Sequence, residues 1–476
     1  MGITRRQFIK RSSLATAGAV LGPGFFGNPF IRRAFAETIG DRYLVVLFLD
    51  GGNDGLNTVV PYDNLGGLRT AYEAARSTGG GGLRLAPGEL SVPSSSFTDP
   101  NTGAQLGFHP GLSGLGSLYD QGRVAVIQGC GYPEYNLSHD VSQRIWQTGF
   151  PLGSGGLPGG TGWAGRHLAL EYTGIDVPAV TIANSIAQEY VQNATSVLAI
   201  RRLRRFGFPY DGYEPADETA KRNAFSALYT EASAGGQPTL DFVGGSGQAT
   251  LVSSESYPVL HDTYEDERAS WDQLYSDIDR GMARDLREVA KIIYGVSNGA
   301  PGVSARFYQA RNGGYDTHAD QGGSEENGRH YDLHKEVGDS LQLFYEDLAD
   351  MGIADKVLTV VWSEFSRRIE QNDNGTDHGS QGPMFVIGGE NAINGGVYGN
   401  HPNIESSAID EDGNTVYSQD GGDGFRSTDF RDVYGTVLKH WLSMPEISIL
   451  DDVLSPDVGP ANSYWTVPDF DLGFLP

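Results

Sequence analysis

Cysteine and basic residues are scarce in this sequence of 476 residues. Cys130 is the single cysteine, which excludes an internal disulfide. The 34 Lys and Arg residues are outnumbered by 60 Asp and Glu residues, giving a net charge of −26 at pH 7. Proteins that bind nucleic acids hold the phosphates with clustered Lys and Arg, so this charge balance argues against a nucleic-acid partner.

Long apolar segments are also missing. Beyond the first 36 residues, no stretch of the sequence has the length and apolarity of a membrane-spanning helix. The chain is nevertheless 39% apolar and contains 66 glycines, which indicates a well-buried core joined by many tight loops. The length alone leaves open one large domain with insertions or two to three smaller domains.

The first 36 residues are expected to direct export rather than to join the fold. "TRRQFIK" at 4–10 places paired arginines before a mildly apolar stretch, and "AFA" at 34–36 fits a signal-peptidase site, so the segment resembles a twin-arginine signal. The twin-arginine translocase is then a partner during export, and the mature protein is expected in the periplasm or outside the cell. The apolar stretch is short and broken by glycines, which predicts no stable membrane span in the mature form; an uncleaved anchor is the alternative.

The rest of the chain alternates strand-like and helix-like segments. The strand-like segments are short, β-branched and almost continuously apolar: "YLVVLFL", "RVAVIQG", "VPAVTIA", "ARFYQA", "KVLTVVW" and "PMFVIGG". Helical patterns cover 264–296, 330–351 and 429–443, the last with Thr428 or Asp429 as its N-cap. This alternation predicts an α/β fold with a mainly parallel central sheet flanked by helices, and it places ligands at the carboxyl ends of the strands.

Two parts of the chain are predicted to be insertions. Residues 150–162 form a Gly/Pro-rich loop, and the segment from about 184 to 300 is polar, helical and weakly patterned. The basic run "RRLRR" at 201–205 lies in the second insertion. In so acidic a chain it either guides an anion or forms a solvated helix face, and the second interpretation is the more ordinary one.

Acidic and histidine residues follow or precede several of the predicted strands. They are Asp50 after the first strand, Asp316 and His318 after "ARFYQA", Glu364 after "KVLTVVW", and Asp377 and His378 before "PMFVIGG". Carboxylates and imidazoles at one edge of a sheet are the donors of a divalent-metal site. Taken singly, however, an Asp after a strand is more often a helix cap or turn former, and a His beside Gly is usually structural.

Five stretches, in this order, carry a resemblance to a known family: "LFLDGGNDGLNTVVPY", "YDTHADQ", "WSEFSRR", "GTDHGSQGPMFVIGG" and "TDFRDVYGTVLKHWL". They resemble a bacterial twin-arginine-exported family of unknown function within the alkaline phosphatase/sulfatase superfamily. The resemblance covers nearly all of residues 40–445. It implies that residues 37–476 form one alkaline phosphatase-like domain with the insertion at about 184–300.

The resemblance also implies a role for each donor. Asp50 stands for the bridging metal carboxylate, Asp316 and His318 for the pair on one metal, Glu364 for the acid on the other, and His378, next to Asp377, for the late histidine ligand. One or two divalent ions are then expected, with Zn, Ca, Mg and Mn all open. Phe365 stands where the phosphatases have a metal-binding histidine, so one of the two sites is a donor short.

The position of the nucleophile is ambiguous by one residue. Hydrolases of the superfamily place a Ser, Thr or modified Cys at the start of a helix, about ten residues before a glycine. Ser138 and His139 both fall within one residue of that spacing before Gly149. Ser138 is suited to attack, His139 to metal binding or acid/base work, and the alternative for Ser138 is a helix cap.

A second histidine pair has the spacing of a chelate. His330 and His334 lie four residues apart in a predicted helix. On so charged a helix the spacing more simply predicts an exposed pair on the solvent face.

The sequence therefore predicts an exported metal-dependent hydrolase of phosphate or sulfate esters, with a small anionic ester as substrate. Two alternatives stay open. One is a non-catalytic exported binding or assembly protein on the same fold, and the other is a metal-dependent isomerase or transferase.

Overall fold

A computed structural model of the protein describes most of the chain. The described residues are 42–78, 81–150, 160–172, 177–192, 194–208, 215–233, 236–324, 328–405, 407–409, 415–417, 421–454, 465 and 468–476. The predicted export signal at 1–36 lies outside these residues, as does most of the Gly/Pro-rich loop at 150–162.

A mixed central sheet organises the described residues. The strands are β1 (Tyr43–Asp50), β2 (Val59–Pro61), β3 (Leu106–Phe108), β4 (Val124–Gly131), β5 (Ala179–Thr181), β6 (Val197–Ala199), β7 (Phe307–Gly313), β8 (Val357–Trp362), β9 (Ser366–Arg367), β10 (His378–Gly379), β11 (Gly382–Gly388), β12 (Gly396–Tyr398) and β13 (Thr428–Asp429). The central sheet has the order β12-β4-β11-β8-β1-β7-β5-β6, and β13 pairs with β4. β2 with β3 and β9 with β10 form two small ribbons.

Strand direction decides which loops meet. β1 is parallel to both of its neighbours, β7 and β8, and β7 is parallel to β5. β11 is antiparallel to β4 and β8, so the beginning of β11 lies at the edge where the parallel strands end. The six predicted strand segments all form strands, and the predicted α/β fold with a mainly parallel sheet is confirmed.

The apolar run of β1 is explained by burial on both faces of the sheet. Leu44, Val46 and Phe48 pack in one hydrophobic cluster, and the alternate side chains of the strand pack in another on the opposite face. A strand covered on both faces needs apolar residues at every position rather than at every second one. Helices supply this cover.

The helices are α1 (Leu68–Ala75), α2 (Ser113–Asp120), α3 (His139–Thr148), α4 (Trp163–Glu171), α5 (Pro215–Ser233), α6 (Pro238–Glu267), α7 (Ala269–Ile278), α8 (Gly281–Ser297), α9 (Arg329–Asp350), α10 (Phe430–Thr436) and α11 (Glu446–Ser448). π-helical turns at Val437–Trp441 and Ile449–Val453 continue α10 and α11. Of the two predicted N-cap residues, Asp429 is the N-cap of α10, and its side chain accepts from the Arg431 amide.

The predicted helix at 264–296 is instead divided among three helices. The backbone of Asp279 is left-handed, which ends α7 before α8 begins at Gly281. The region predicted as an insertion at about 184–300 includes β6, which pairs with β5 in the central sheet. Among the described residues of this region, the α-helices are α5 through α8, between β6 and β7.

The basic run at 201–205 does not form a helix face. It includes a single 3-10 turn, Leu203–Arg205, which begins four residues after the end of β6 at Ala199. The more ordinary interpretation of the run, a solvated helix face, was therefore wrong. Among the described residues, no helix combines the length and the apolarity needed to cross a membrane.

Candidate metal centre

The turn after β1 brings its backbone against two other loops. Gly51 and Gly52 both have positive φ angles, 122° and 78°, which favour glycine. A Cβ on Gly51 would clash with the Asp316 amide, and one on Gly52 would clash with the Phe365 ring. The close approach lets the Gly51 amide donate to Glu364 Oε1 at 2.9 Å.

Glu364 follows β8 and is completely buried. Besides the Gly51 amide, its carboxylate accepts from Ser363 Oγ at 3.2 Å and from His139 Nδ1 at 2.8 Å. Because a carboxylate can only accept, this hydrogen bond assigns the imidazole proton of His139 to Nδ1. The lone pair of His139 is then on Nε2.

Two further histidines are held in the same way. The Nδ1–H of His378 donates to the Leu137 carbonyl at 2.8 Å. The Nδ1 of His318 lies 2.9 Å from Asp377 Oδ1, which also accepts from Asn372. In both rings Nδ1 carries the proton, so the lone pair is again on Nε2.

These lone pairs converge on Asp316. Nε2 of His318 and Nε2 of His378 are 3.0 Å apart and lie 3.2 and 3.1 Å from Asp316 Oδ1. Nε2 of His139 is buried without a hydrogen-bond partner, 3.5 Å from Asp316 Oδ2. Acceptor atoms this close, with no proton assigned between them, require a cation or an added proton among them.

The arrangement fits a divalent metal ion. Ligand atoms of His139, Asp316 and His378 lie within 4.8 Å of one another. Metal-binding histidines commonly bind the ion through one ring nitrogen while the other nitrogen donates to a carboxylate or a backbone carbonyl. Nδ1 of all three histidines here has such an acceptor. His139, Asp316, His318 and His378 are thus the residues that could hold an ion.

The electrostatics of the cluster favour this use. Partial burial opposes ionisation of Asp316, but the hydrogen bond from Arg367 and the proximity of the His378 ring lower its pKa to about 2. Burial lowers the pKa of His378, which keeps its Nε2 available at neutral pH. The hydrogen bond to Glu364 raises the pKa of His139, so its nitrogen is the more basic donor.

Arg367 joins the loops of the cluster and was missed as a functional residue by the sequence analysis. Its buried guanidinium donates to Asp316 Oδ1 at 2.8 Å. The remaining donors bond to backbone carbonyls of Gly51, Gly52, Tyr315 and Thr376. The only available signal was its place in "WSEFSRR", one of the five family-like stretches.

Phe365 supports the imidazoles instead of binding a metal. Its ring is buried, with centroids 4.8 Å from His139 and 4.5 Å from His378. Phe365 has no atom that could bind a metal, but its packing restricts the orientation of the His139 and His378 rings.

The structure brings His139, rather than Ser138, into the cluster. Ser138 is the N-cap residue of α3, is exposed and makes no capping bond with its side chain. Its hydroxyl has no hydrogen bond within the described part of the chain. His139 begins the helix and points to Glu364 and Asp316.

Asp50, predicted as the bridging ligand, lies beside the loop of Asp316, because its carbonyl accepts from the Tyr315 amide at 3.1 Å. Its carboxylate forms an ion pair with Arg311 of β7. Glu364 and Asp377, also predicted as ligands, accept from His139 and His318. A direct metal contact of these three carboxylates stays a prediction.

The predicted exposure of His330 and His334 was wrong, because both side chains are buried. Their rings are 4.0 Å apart and lie about 5 Å from the buried His109. His330 Nε2 is 3.2 Å from Asn53 Oδ1, and His334 Nε2 is 3.1 Å from Thr58 Oγ1. Residues after β1 thus give Nε2 of each ring a polar partner inside the fold, whereas both Nδ1 atoms are buried without a hydrogen-bond partner among the described residues.

Comparisons with known proteins agree with the sequence resemblance in part. A family model described as "Protein of unknown function (DUF1501)" matches residues 298–417. This range includes five of the six predicted ligands but neither Asp50 nor His139. No curated protein matches the chain significantly.

Three solved structures show a distant similarity. They are the PsFucS1 sulfatase from Pseudoalteromonas sp. (12% identity, TM-score 0.32, 88% of this chain and 73% of that chain), a protein in the alkaline phosphatase superfamily from Vibrio parahaemolyticus (11%, 0.26, 73% and 60%), and the lipoteichoic acid synthase LtaP from Listeria monocytogenes (10%, 0.26, 83% and 78%). All three TM-scores are below 0.5, so the site residues are inferred only from the contacts within this chain.

Proposed function

We propose that the protein is an exported, metal-dependent hydrolase of phosphate or sulfate esters. One divalent ion would be held by the four residues whose donors converge: His139, Asp316, His318 and His378. The observation that carries the proposal is the set of three imidazoles whose Nδ1–H groups are all occupied and whose Nε2 atoms all face Asp316.

The donor set narrows the choice of ion. Calcium and magnesium are bound almost entirely through oxygen, whereas three imidazole nitrogens and one carboxylate suit zinc or a similar transition metal. Asp316 and His318 are each 46% exposed, so the centre is open to solvent on one side. An ester can approach it there.

The chemistry of the proposal is electrostatic. When bound, a divalent ion supplies Lewis-acid stabilisation of the negative charge that develops on the ester oxygens. The chain keeps Asp316 ionised and fixed through Arg367, and it keeps the imidazoles oriented through Glu364, Asp377 and the Leu137 carbonyl. Preorganised donors of this kind need little rearrangement during the reaction.

A non-catalytic binding or assembly protein is the second candidate. It is favoured by the position of Ser138, because a serine nucleophile would have to reach the cluster and this hydroxyl is exposed without a hydrogen bond. The metal centre would then bind a ligand or stabilise the fold without hydrolysing a substrate.

Elemental analysis combined with ester assays separates these proposals. The purified protein is expected to contain about one zinc-like ion per chain and to hydrolyse p-nitrophenyl phosphate or p-nitrophenyl sulfate. His318→Ala and His378→Ala should lose both properties. His440→Ala is the matched control, because His440 is paired with Asp471 and lies outside the cluster.

The outcomes have distinct meanings. Unchanged metal content in both ligand variants would contradict the metal centre itself. Loss of the ion, with no hydrolysis of any ester by the unaltered protein, would keep the centre and favour the binding function.

A further inference from the structure

A basic cleft of about 580 Å³ lies outside the metal centre. One wall is formed by the loops that follow β5 and β6, and the other by helices α6 and α8. Five arginines line it: Arg201, Arg202, Arg204, Arg205 and Arg287. The "RRLRR" run of the sequence therefore lines a concave surface in a protein whose net charge is −26.

The turn that carries the run is firmly attached to α8. Leu203 is buried, and its amide donates to the buried carboxylate of Glu288 at 2.8 Å. Arg202 forms an ion pair of 2.8 Å with Asp285. These contacts explain Arg202 and Leu203 as structural residues, but they do not explain the other arginines of the run.

Arg201, Arg204 and Arg205 are exposed in the cleft. Within the described part of the chain, no carboxylate lies in ion-pair distance of these three side chains. Three neighbouring guanidinium groups repel one another, and folding alone gives no reason to place them together. A bound anion would relieve that repulsion.

The opposite wall carries charges of both signs, but its carboxylates already have partners. That of Glu288 accepts from the Leu203 amide. Asp272 of α7, which does not line the cleft, is paired with Arg287 at 3.3 Å and with the buried Lys291 at 2.8 Å. Glu265 lies 3.0 Å from His261 and 3.3 Å from Lys291. The buried Nε of Arg287 has no hydrogen-bond partner.

We propose that this cleft binds a small polyanion carrying at least two phosphate, sulfate or carboxylate groups. The planar guanidinium of arginine donates two parallel hydrogen bonds to such oxyanions. The volume is within the range of small-molecule sites and exceeds the needs of a single inorganic ion. Ile200 and Phe206 in the lining offer apolar contact to the body of such a ligand.

The cleft lies at the same edge of the sheet as the metal centre. Residues of its lining follow the carboxyl ends of β5 and β6, and β5 is the neighbour of β7 in the parallel part of the sheet. The cleft shares no residue with the metal centre, so its ligand binding stands even if the proposed hydrolysis fails.

Calorimetric titration with inorganic pyrophosphate tests the proposal. The full chain carrying His318→Ala and His378→Ala, in buffer with a chelator, removes binding at the metal centre from the signal. Saturable binding of one pyrophosphate per chain is expected. Arg204→Gln combined with Arg205→Gln should weaken it at least about tenfold, because the double variant loses the charged hydrogen bonds of two guanidinium groups.

Arg284→Gln is the matched control, since this exposed arginine of α8 does not line the cleft. A disulfated disaccharide and citrate, titrated in parallel, distinguish sulfate and carboxylate ligands from phosphate. The unsulfated disaccharide should not bind. Failure of all three anions to bind, or equal affinity in the Arg284 control and the double variant, would overturn the proposal.

Discussion

Glu364→Gln should weaken metal binding although Glu364 is not one of the four proposed ligands. The carboxylate is completely buried and accepts from His139 Nδ1 at 2.8 Å and from the Gly51 amide at 2.9 Å. Glutamine has the same shape, but it replaces one acceptor oxygen with an NH2 donor and removes the negative charge beside His139.

The size of the effect follows from the role of Glu364 in orienting His139. Losing the acceptor of a metal-binding histidine typically lowers metal affinity about 10- to 100-fold, which is about 1.4 to 2.7 kcal/mol. The pKa of His139 should also fall, because the hydrogen bond to Glu364 is what raises it. Protons then compete less with the metal, so the acid limit of metal binding should move to lower pH.

Competition against a fluorescent zinc chelator measures both quantities. Affinity is determined at pH 7.5 and then across decreasing pH, with Glu390→Gln as the control, since Glu390 is an exposed glutamate. A Glu364→Gln affinity within twofold of that control would refute the orientation of His139 by Glu364. An unchanged pH limit together with weaker binding would instead indicate a general loss of structure, which circular dichroism can check.

Further perturbations test other parts of the interpretation. Asp50→Asn should leave the ion of the histidine cluster in place, because the Asp50 carboxylate pairs with Arg311; a decrease from two ions to one in elemental analysis would assign a second ion to Asp50. Arg367→Met should lower the free energy of unfolding by at least about 3 kcal/mol in urea titrations, since it removes the hydrogen bonds that four backbone carbonyls and the Asp316 carboxylate accept from the buried guanidinium. Burial lowers the pKa of His109 from 6.5 to about 4, so between pH 4 and 6.5 only the unfolded state binds this proton, and the folded state loses stability as the pH decreases. His109→Asn should therefore reduce the slope of unfolding free energy against pH in this range by up to about 1.4 kcal/mol per pH unit. Replacing Arg5 and Arg6 by Lys should leave a folded precursor in the cytoplasm, detected by fractionation, and continued export would contradict the twin-arginine prediction.

The sheet was predictable from the sequence because burial on both faces leaves a clear signal. All six apolar segments form strands. Direction leaves no such signal, because a short strand covered on both faces has the same composition whichever way it runs. The antiparallel direction of β11 is nevertheless what places His378, just before this strand, beside residues that follow the parallel strands.

The types of donor at the site were predictable, but their individual roles were not. Asp316, Glu364 and Asp377 all carry a carboxylate, so the sequence does not distinguish their roles. The neighbouring imidazoles do: Asp316 faces their Nε2 lone pairs, whereas Glu364 and Asp377 accept hydrogen bonds from Nδ1–H groups. The choice between Ser138 and His139 depended on a single residue of helix register. Sequence spacing cannot decide such a difference without the loop that precedes the helix.

The buried histidines show a different limit. The spacing of His330 and His334 fits an exposed helix face as well as a buried one. Their partners, Asn53 and Thr58, lie in a segment more than 270 residues away in sequence. Local patterns contain no information about a polar contact of this range, so polarity was interpreted as exposure.

The proposed metal centre depends on the complete fold because its donors come from separate segments. His139 begins α3, Asp316 and His318 follow β7, and His378 precedes β11. Such a site does not exist in the unfolded chain, so the free energy of metal binding adds to folding stability. Without an ion, the lone pairs of three Nε2 atoms and the Asp316 carboxylate lie close together with no proton between them. Metal loading after folding and before translocation is therefore what a twin-arginine route would provide, because this route carries proteins already folded.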